Sequence, residues 1–203
     1  QIDITATSGD TSLTAELTGW LETDADNSQI VISTTKAIDL KTSVEAKGDG
    51  AQISIASGSN VSLLEGGKVV ARGADARIEL DATAVLNIPS GTAVTAGARF
   101  QAETPILTGE NSDIRLSGAG EMWLAGAVTA SRNIELEFGS ATGTHADYFD
   151  NIQGATLFQS APVADHELAL GGETFPEGLR PDFAANGIDL AEGAVTVSTL
   201  EAG

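Results

Sequence analysis

From Gly48 to Leu63 the chain reads GDGAQISIASGSNVSL, with apolar residues at alternate positions in two short bursts, Ile53/Ile55 and Val61/Leu63, whose first members lie eight residues apart. Alternation marks a strand with one buried face, whereas a helix repeats its apolar residues every three or four positions. The gap between the bursts makes them two short strands and not one long one. Related doublets stand at Leu13/Ala15, Ile30/Ile32, Ile78/Leu80, Ile114/Leu116 and Ile134/Leu136. Four of these units carry a second doublet eight residues on: Ile38/Leu40, Val61/Leu63, Leu86/Ile88 and Met122/Leu124. Leu13 leads in the same way to Leu21, whose doublet partner is Thr23, and a third burst follows at Val44/Ala46, Val69/Ala71 and Val94/Ala96.

Units beginning at Ile30, Ile53, Ile78 and Ile114 run 23, 25, 36 and 20 residues to the next. A constant internal offset with variable length means that strands are constrained while turns accept insertions, as in stacked coils. The leads ADNSQI, GDGAQI, GADARI and GENSDI place turn-forming Gly, Asp, Asn, Ser or Ala before each strand. A short strand plus a corner takes about eight residues, and three such sides close a coil of roughly 20 to 25. The pattern therefore predicts an all-β fold, a right-handed parallel β-helix or β-solenoid, with Ile30, Ile53 and Ile78 in one internal stack. The six-residue period of left-handed helices is absent. A tandem β-sandwich is the alternative, since it also has short strands at this spacing. Such sandwiches draw on large buried aromatics, and Gln1 to Arg99 contains one aromatic, Trp20.

Composition changes after Phe138. Six of nine aromatics lie between Phe138 and Phe183, with both histidines and three of five prolines. The expected organisation is coils over 1–138, a non-repetitive, aromatic-rich excursion or cap over 139–187, and a return to strands or a linker over 188–203, where Ile188/Leu190 and Val195/Val197 restore alternation. A cap would protect an open sheet edge.

Charge and size narrow the partners. The 203 residues hold 29 acidic and 10 basic side chains, a net charge of -19 that repels phosphate backbones and anionic headgroups, so nucleic acid is excluded as a partner. There is no cysteine for a disulfide or thiolate site, and no apolar run of the roughly 18 residues that membrane insertion by a helix requires. Running from Gln1 to Gly203 without a leader-like stretch, the chain reads as a segment of something longer.

Candidate chemistry is sparse. ETDADNS fails the EF-hand pattern, with Gln29 where that loop needs Gly. Asp26, Asp49 and Asp75 each precede a coil's first Ile by three or four residues, which makes them candidate calcium ligands at one corner, against the simpler reading of a solvated acidic face. His145, Asp147 and Asp150, and Asp165, His166 and Glu167, form the histidine–carboxylate clusters, for which exposed loop positions are the plainer reading. Glu79/Asp81 and Asp39/Lys41 flank doublets, but a polysaccharide lyase or hydrolase needs a carboxylate constellation with aromatic platforms, and Trp20 and Trp123 lie about a hundred residues apart. Asn60-Val61-Ser62 matches a glycosylation sequon, although Val61 falls on an inward position. The expected partner-contact residues are Tyr148, Phe149, Phe158, Phe175, Arg180 and Phe183, because binding energy concentrates in aromatic and Arg side chains. The competing reading gives those aromatics the core of a cap.

The stretch AQISIASGSNVSLLEGGKVVARGADARIELDATAVLNI resembles the coils of filamentous-haemagglutinin-type exoproteins and other giant repetitive bacterial surface proteins, over roughly residues 1 to 138. That resemblance implies a right-handed β-helix in a secreted or cell-surface protein used in adhesion, matrix or filament formation, with no catalytic residue to carry over; no cofactor is expected apart from calcium at the acidic corner of Asp26, Asp49 and Asp75. Its implied partners are a host or neighbouring-cell surface, a matrix protein or a glycan, with end-to-end or lateral self-association. The alternatives are a carbohydrate-active β-helix, such as a lyase or phage-spike depolymerase, and a calcium-dependent adhesin module.

Overall fold

The computed structural model describes residues 2–6, 14–101, 104–107, 109, 111–124, 126–132 and 134–139, and beyond them six short strands between 152 and 200. All regular elements among the described residues are strands, and they come in threes. The first coil holds β1 (Ile2–Ala6), β2 (Thr14–Leu17) and β3 (Leu21–Thr23); the second, β4 (Gln29–Thr34), β5 (Ala37–Leu40) and β6 (Ser43–Ala46). The third holds β7 (Gln52–Ser57), β8 (Val61–Leu63) and β9 (Lys68–Ala71); the fourth, β10 (Arg77–Ala82), β11 (Val85–Ile88) and β12 (Ala93–Ala96). A hairpin of β13 (Ala98–Gln101) and β14 (Thr104–Leu107) precedes the fifth coil of β15 (Asp113–Gly118), β16 (Glu121–Leu124) and β17 (Ala127–Ala130). Then come β18 (Ile134–Gly139), β19 (Ile152–Gln153), β20 (Thr156–Gln159), β21 (Ala169–Leu170), β22 (Glu173–Thr174), β23 (Asp189–Leu190) and β24 (Val195–Leu200).

Each coil gives one strand to each of three sheets, ordered β1-β4-β7-β10-β15-β18-β24-β21-β22, β2-β5-β8-β11-β16-β19 and β3-β6-β9-β12-β17-β20-β23. Pairing along those orders is parallel, as at Ile30↔Ile53 and Ile53↔Ile78, except between β21 and β22. Antiparallel pairing is confined to β13 with β14 and β21 with β22. The chain thus winds through three parallel sheets in turn, a solenoid-like, β-helix-compatible topology and not that of a sandwich, whose sheets are antiparallel.

The inward positions form apolar stacks. Ile30, Ile53, Ile78, Ile114 and Ile134 lie over one another in the first sheet, each no more than 1% exposed. Ile38, Val61, Leu86 and Met122 do the same in the second sheet, and Val44, Val69, Val94 and Val128 in the third. The expected Ile30–Ile53–Ile78 stack is therefore present. The first coil departs from expectation. Its first-sheet strand is β1, with Ile2 and Ile4 opposite Ile30 and Ile32. Ala15 pairs instead with Ile38 in the second sheet and Leu21 with Val44 in the third. The eight-residue step from Ala15 to Thr23 thus joins the second sheet to the third, whereas the step from Ile30 to Ile38 joins the first to the second, because a spacing alone does not say which sides it connects.

Beyond Phe138, β19 pairs with β16 and β20 with β17, both parallel, so strand order continues to Gln159 across the change in composition.

Between the third and first sheets the corner is tight. Gly48, Gly73 and Gly109 stack there, and a Cβ on Gly73 would overlap the carbonyl of Gly48 in the coil before it. Gly109 N–H donates to the Gly97 carbonyl at 2.9 Å, so the chain leaves at Gly97 and returns to the adjoining point of the same corner. Residues 98–108 are consequently an insertion in a coil that, without them, would match the 25-residue step from Ile53 to Ile78. β13 lies against β9. Val70 of β9 and Thr95 of β12 alternate away from the core yet are buried, as befits parallel strands covered on both faces.

Two predictions follow from this packing. Ile53→Ala should lose about 2–5 kcal/mol in denaturant unfolding, and Ile53→Asp, which places an unpaired carboxylate in the stack, should abolish the cooperative transition; the outward Ser54→Asp should stay within about 0.5 kcal/mol. An Ile53→Asp protein that unfolds like wild type would refute the register.

Excision of 98–108, joining Gly97 to Gly109, should leave the far-ultraviolet β spectrum intact while raising the binding of a hydrophobic dye, as the third sheet loses its cover. Loss of the β spectrum would show instead that the hairpin is integral to the coil stack.

Candidate functional site

The corner entering the first sheet gathers the proposed acidic ligands. Its left-handed position is occupied in successive coils by Asn27 (φ 54°), Gly50 (φ 66°), Asp75 (φ 54°) and Asn111 (φ 58°), residue types that adopt this conformation at low cost. Asp26 and Asp49 stand one position earlier. Asp49 N–H donates to Asp26 Oδ1 at 3.1 Å, and Ala74 N–H donates to Asp49 Oδ1 at 2.9 Å. Each carboxylate therefore satisfies a backbone amide of the next coil, a side-chain-to-backbone bond between coils repeated up the axis. In the fourth and fifth coils Ser112 takes over, accepting from Ala76 N–H at 3.0 Å and donating to the Gly73 carbonyl at 3.1 Å.

Asp26, Asp49 and Asp75 thus share a corner but not a position. Asp26 and Asp49 are in register, while Asp75 sits at the place of Asn27 and Gly50, because GADARI has one residue fewer between its Asp and its Ile than ADNSQI or GDGAQI. All three are exposed. Among the described residues no group of three or more His, Cys, Asp or Glu side chains is placed to hold a metal ion.

Cations bridge the coils. Lys47 Nζ lies 2.5 Å from Glu22 and 3.1 Å from Asp24 of the preceding coil. Its hydrogen bonds to Glu22 and then Asp24 raise its pKa above the ordinary lysine value. Arg115 joins Glu79 on one side at 2.5 Å and reaches Glu135 on the other at 3.9 Å, all three in one row of the first sheet. Arg132 binds Asp113 through two nitrogens, and its pKa is raised chiefly by that hydrogen bonding. Glu45, nearly buried on the third sheet, is paired with Arg72. Glu79, singled out beside Asp81, is therefore engaged as one half of an ion pair.

Asn60 Oδ1 accepts from Val85 N–H at 3.1 Å and Val61 is fully buried, so the sequon lies within the coil wall. Of the expected contact residues, Phe158 falls in β20, opposite Thr129 and Asp189. Tyr148, Phe149, Phe175, Arg180 and Phe183 lie outside the described residues, as do both histidine clusters. The sequence reading passed over two exposed aromatic positions as unrelated: Trp20, 69% exposed, and Trp123, 43% exposed. The signal for Trp123 was available, since it stands between Met122 and Leu124 on an outward position.

No protein-family model, no curated protein and no solved structure matches the chain. The likeness to filamentous-haemagglutinin-type repeats rests on the repeat pattern alone. No helix of the described residues is long and apolar enough to cross a membrane.

The corner generates its own test. Asp49→Ala should cost about 1 kcal/mol through the lost cap to Ala74, whereas Asp75→Asn, which keeps a residue suited to the left-handed position, should leave the unfolding midpoint unchanged. Equal effects of the two substitutions would mean that the carboxylates act through general charge and not through that bond.

Proposed function

We propose that the chain is an extracellular structural or adhesive β-solenoid stretch, a secreted or cell-surface rod whose walls and loops contact other surfaces. The observation that carries this reading is the unbroken in-register stacking of six coils on three parallel sheets, from Ile2 to Gln159. Such a scaffold is quasi-one-dimensional: each coil contacts its neighbours, and the outward positions form long surfaces of repeated chemistry. We take the winding to be right-handed, since a parallel strand–crossover–strand connection in one sheet is right-handed in almost all proteins. The acidic surface, at a net charge of -19, suits solubility and contact with uncharged or basic partners. Partners of these kinds are a neighbouring-cell surface, a matrix protein or a glycan, and 139–187 is the stretch whose aromatics would add specific anchors.

Beads coated with the full chain should be retained saturably on cells, extracellular matrix or surface polysaccharide, above beads coated with an inert acidic protein. Retention no greater than that control on every surface would overturn the adhesive reading. Release of new reducing ends or unsaturated sugars from polysaccharides incubated with the chain would point to the carbohydrate-active alternative.

A further inference from the structure

The outer face of the second sheet carries one continuous row. Glu16 pairs with Asp39, Asp39 with Ser62, Ser62 with Asn87, Asn87 with Trp123 and Trp123 with Gln153. Asp39, Ser62, Asn87 and Trp123 each stand between inward residues that are fully buried, and are themselves half-buried or exposed. Adjacent strands lie about 4.8 Å apart, which is close to the length of one pyranose residue in a chain. The row holds carboxylate, hydroxyl, amide and indole groups and no Lys or Arg.

Trp123 is the unusual member. An indole is a large apolar surface, and here it lies 43% exposed on the last strand but one of the second sheet, between the rungs of Asn87 and Gln153. Trp is also the residue type most enriched where recognition energy concentrates.

We propose that this row is a binding site for a neutral glycan strand laid along the coil axis, with a pyranose ring on Trp123 and its neighbours' hydroxyls on Asn87, Ser62 and Asp39. A pyranose offers an apolar C–H face and a belt of hydroxyls. The indole packs against the first, the Asn87 amide both donates to and accepts from the second, and the Asp39 carboxylate accepts from it. Anionic glycans are disfavoured by Asp39 and by the net charge of -19. A basic peptide would find ionised partners only at one end of the row, at Glu16 and Asp39, with Ser62, Asn87 and the Trp123 indole offering it no charge beyond them. The site gives the adhesive role proposed above a ligand class, and rests on that reading.

Trp20→Phe leaves Trp123 as the sole tryptophan, so its emission reports on the row. Titration of that full-length variant with cello-, malto- and chito-oligosaccharides should give saturable quenching or a spectral shift with at least one series. In calorimetry on the chain with Trp20 intact, Trp123→Ala should weaken that binding at least about tenfold without moving the melting temperature, and Asn87→Ala should weaken it by a smaller factor. Polygalacturonate should bind less well than the neutral series at low salt. Absence of binding by every neutral series, binding that survives Trp123→Ala, or preference for polygalacturonate or polylysine would each overturn the site. Bead retention that is untouched by Trp123→Ala leaves the adhesive role standing and removes the glycan row. Oligosaccharide binding at Trp123 without retention on any surface supports the row and removes the adhesive role.

Discussion

Parallel, in-register hydrogen bonding between successive coils is the constraint from which the rest follows. It sets each residue about 4.8 Å from its counterpart in the next coil, so whatever chemistry suits a position must suit it repeatedly. Inward places satisfy this with Ile, Leu and Val, whose stacks at Ile30–Ile53–Ile78–Ile114–Ile134 are closed to solvent. At the corner between the third and first sheets the backbones approach so closely that Gly48, Gly73 and Gly109 recur.

Repetition is dangerous for charge. Stacking acid on acid along an axis would build repulsion into a chain that already carries a net charge of -19. The structure relieves it in three ways. Cations sit one coil away from their acids, as Lys47 does with Glu22 and Arg115 with both Glu79 and Glu135. Neutral side chains bridge some rungs, as between Gln29 and Gln52 at 3.2 Å. Corner carboxylates are spent on backbone amides, Asp26 on Asp49 and Asp49 on Ala74. Exposed ion pairs are individually weak, so these offset repulsion between like-charged rungs and add little to bulk stability.

Variation enters where a corner admits an insertion. The hairpin over 98–107 grows from the point where Gly97 and Gly109 meet, and it covers one wall without changing the coil count. The wall of the second sheet is left to its row of outward side chains, with Trp123 among them. Stacked coils of this kind separate rigidity from surface chemistry: the stacks supply the first, and single outward substitutions or corner insertions alter the second at little cost to the core.

Alternation in doublets such as Ile53/Ile55 and Val61/Leu63 determined by itself that the chain forms short strands with one buried face, because side-chain direction in a strand depends only on the parity of the position. The turn leads determined where coils begin, since Asn27, Gly50, Asp75 and Asn111 occupy a backbone conformation that few other residues tolerate. Which strand lies beside which was decided by the tertiary structure. Ala15 to Thr23 and Ile30 to Ile38 share a spacing yet join different sides of the coil, and Asp75 misses the register of Asp26 and Asp49 by one residue. The pairing of Trp123 with Asn87, 36 residues away in sequence, was by contrast implied by the equivalent doublets Met122/Leu124 and Leu86/Ile88. A doublet fixes parity and an eight-residue step but not which side of the coil it occupies, and the hydrogen-bond ladder between coils is what assigns the side.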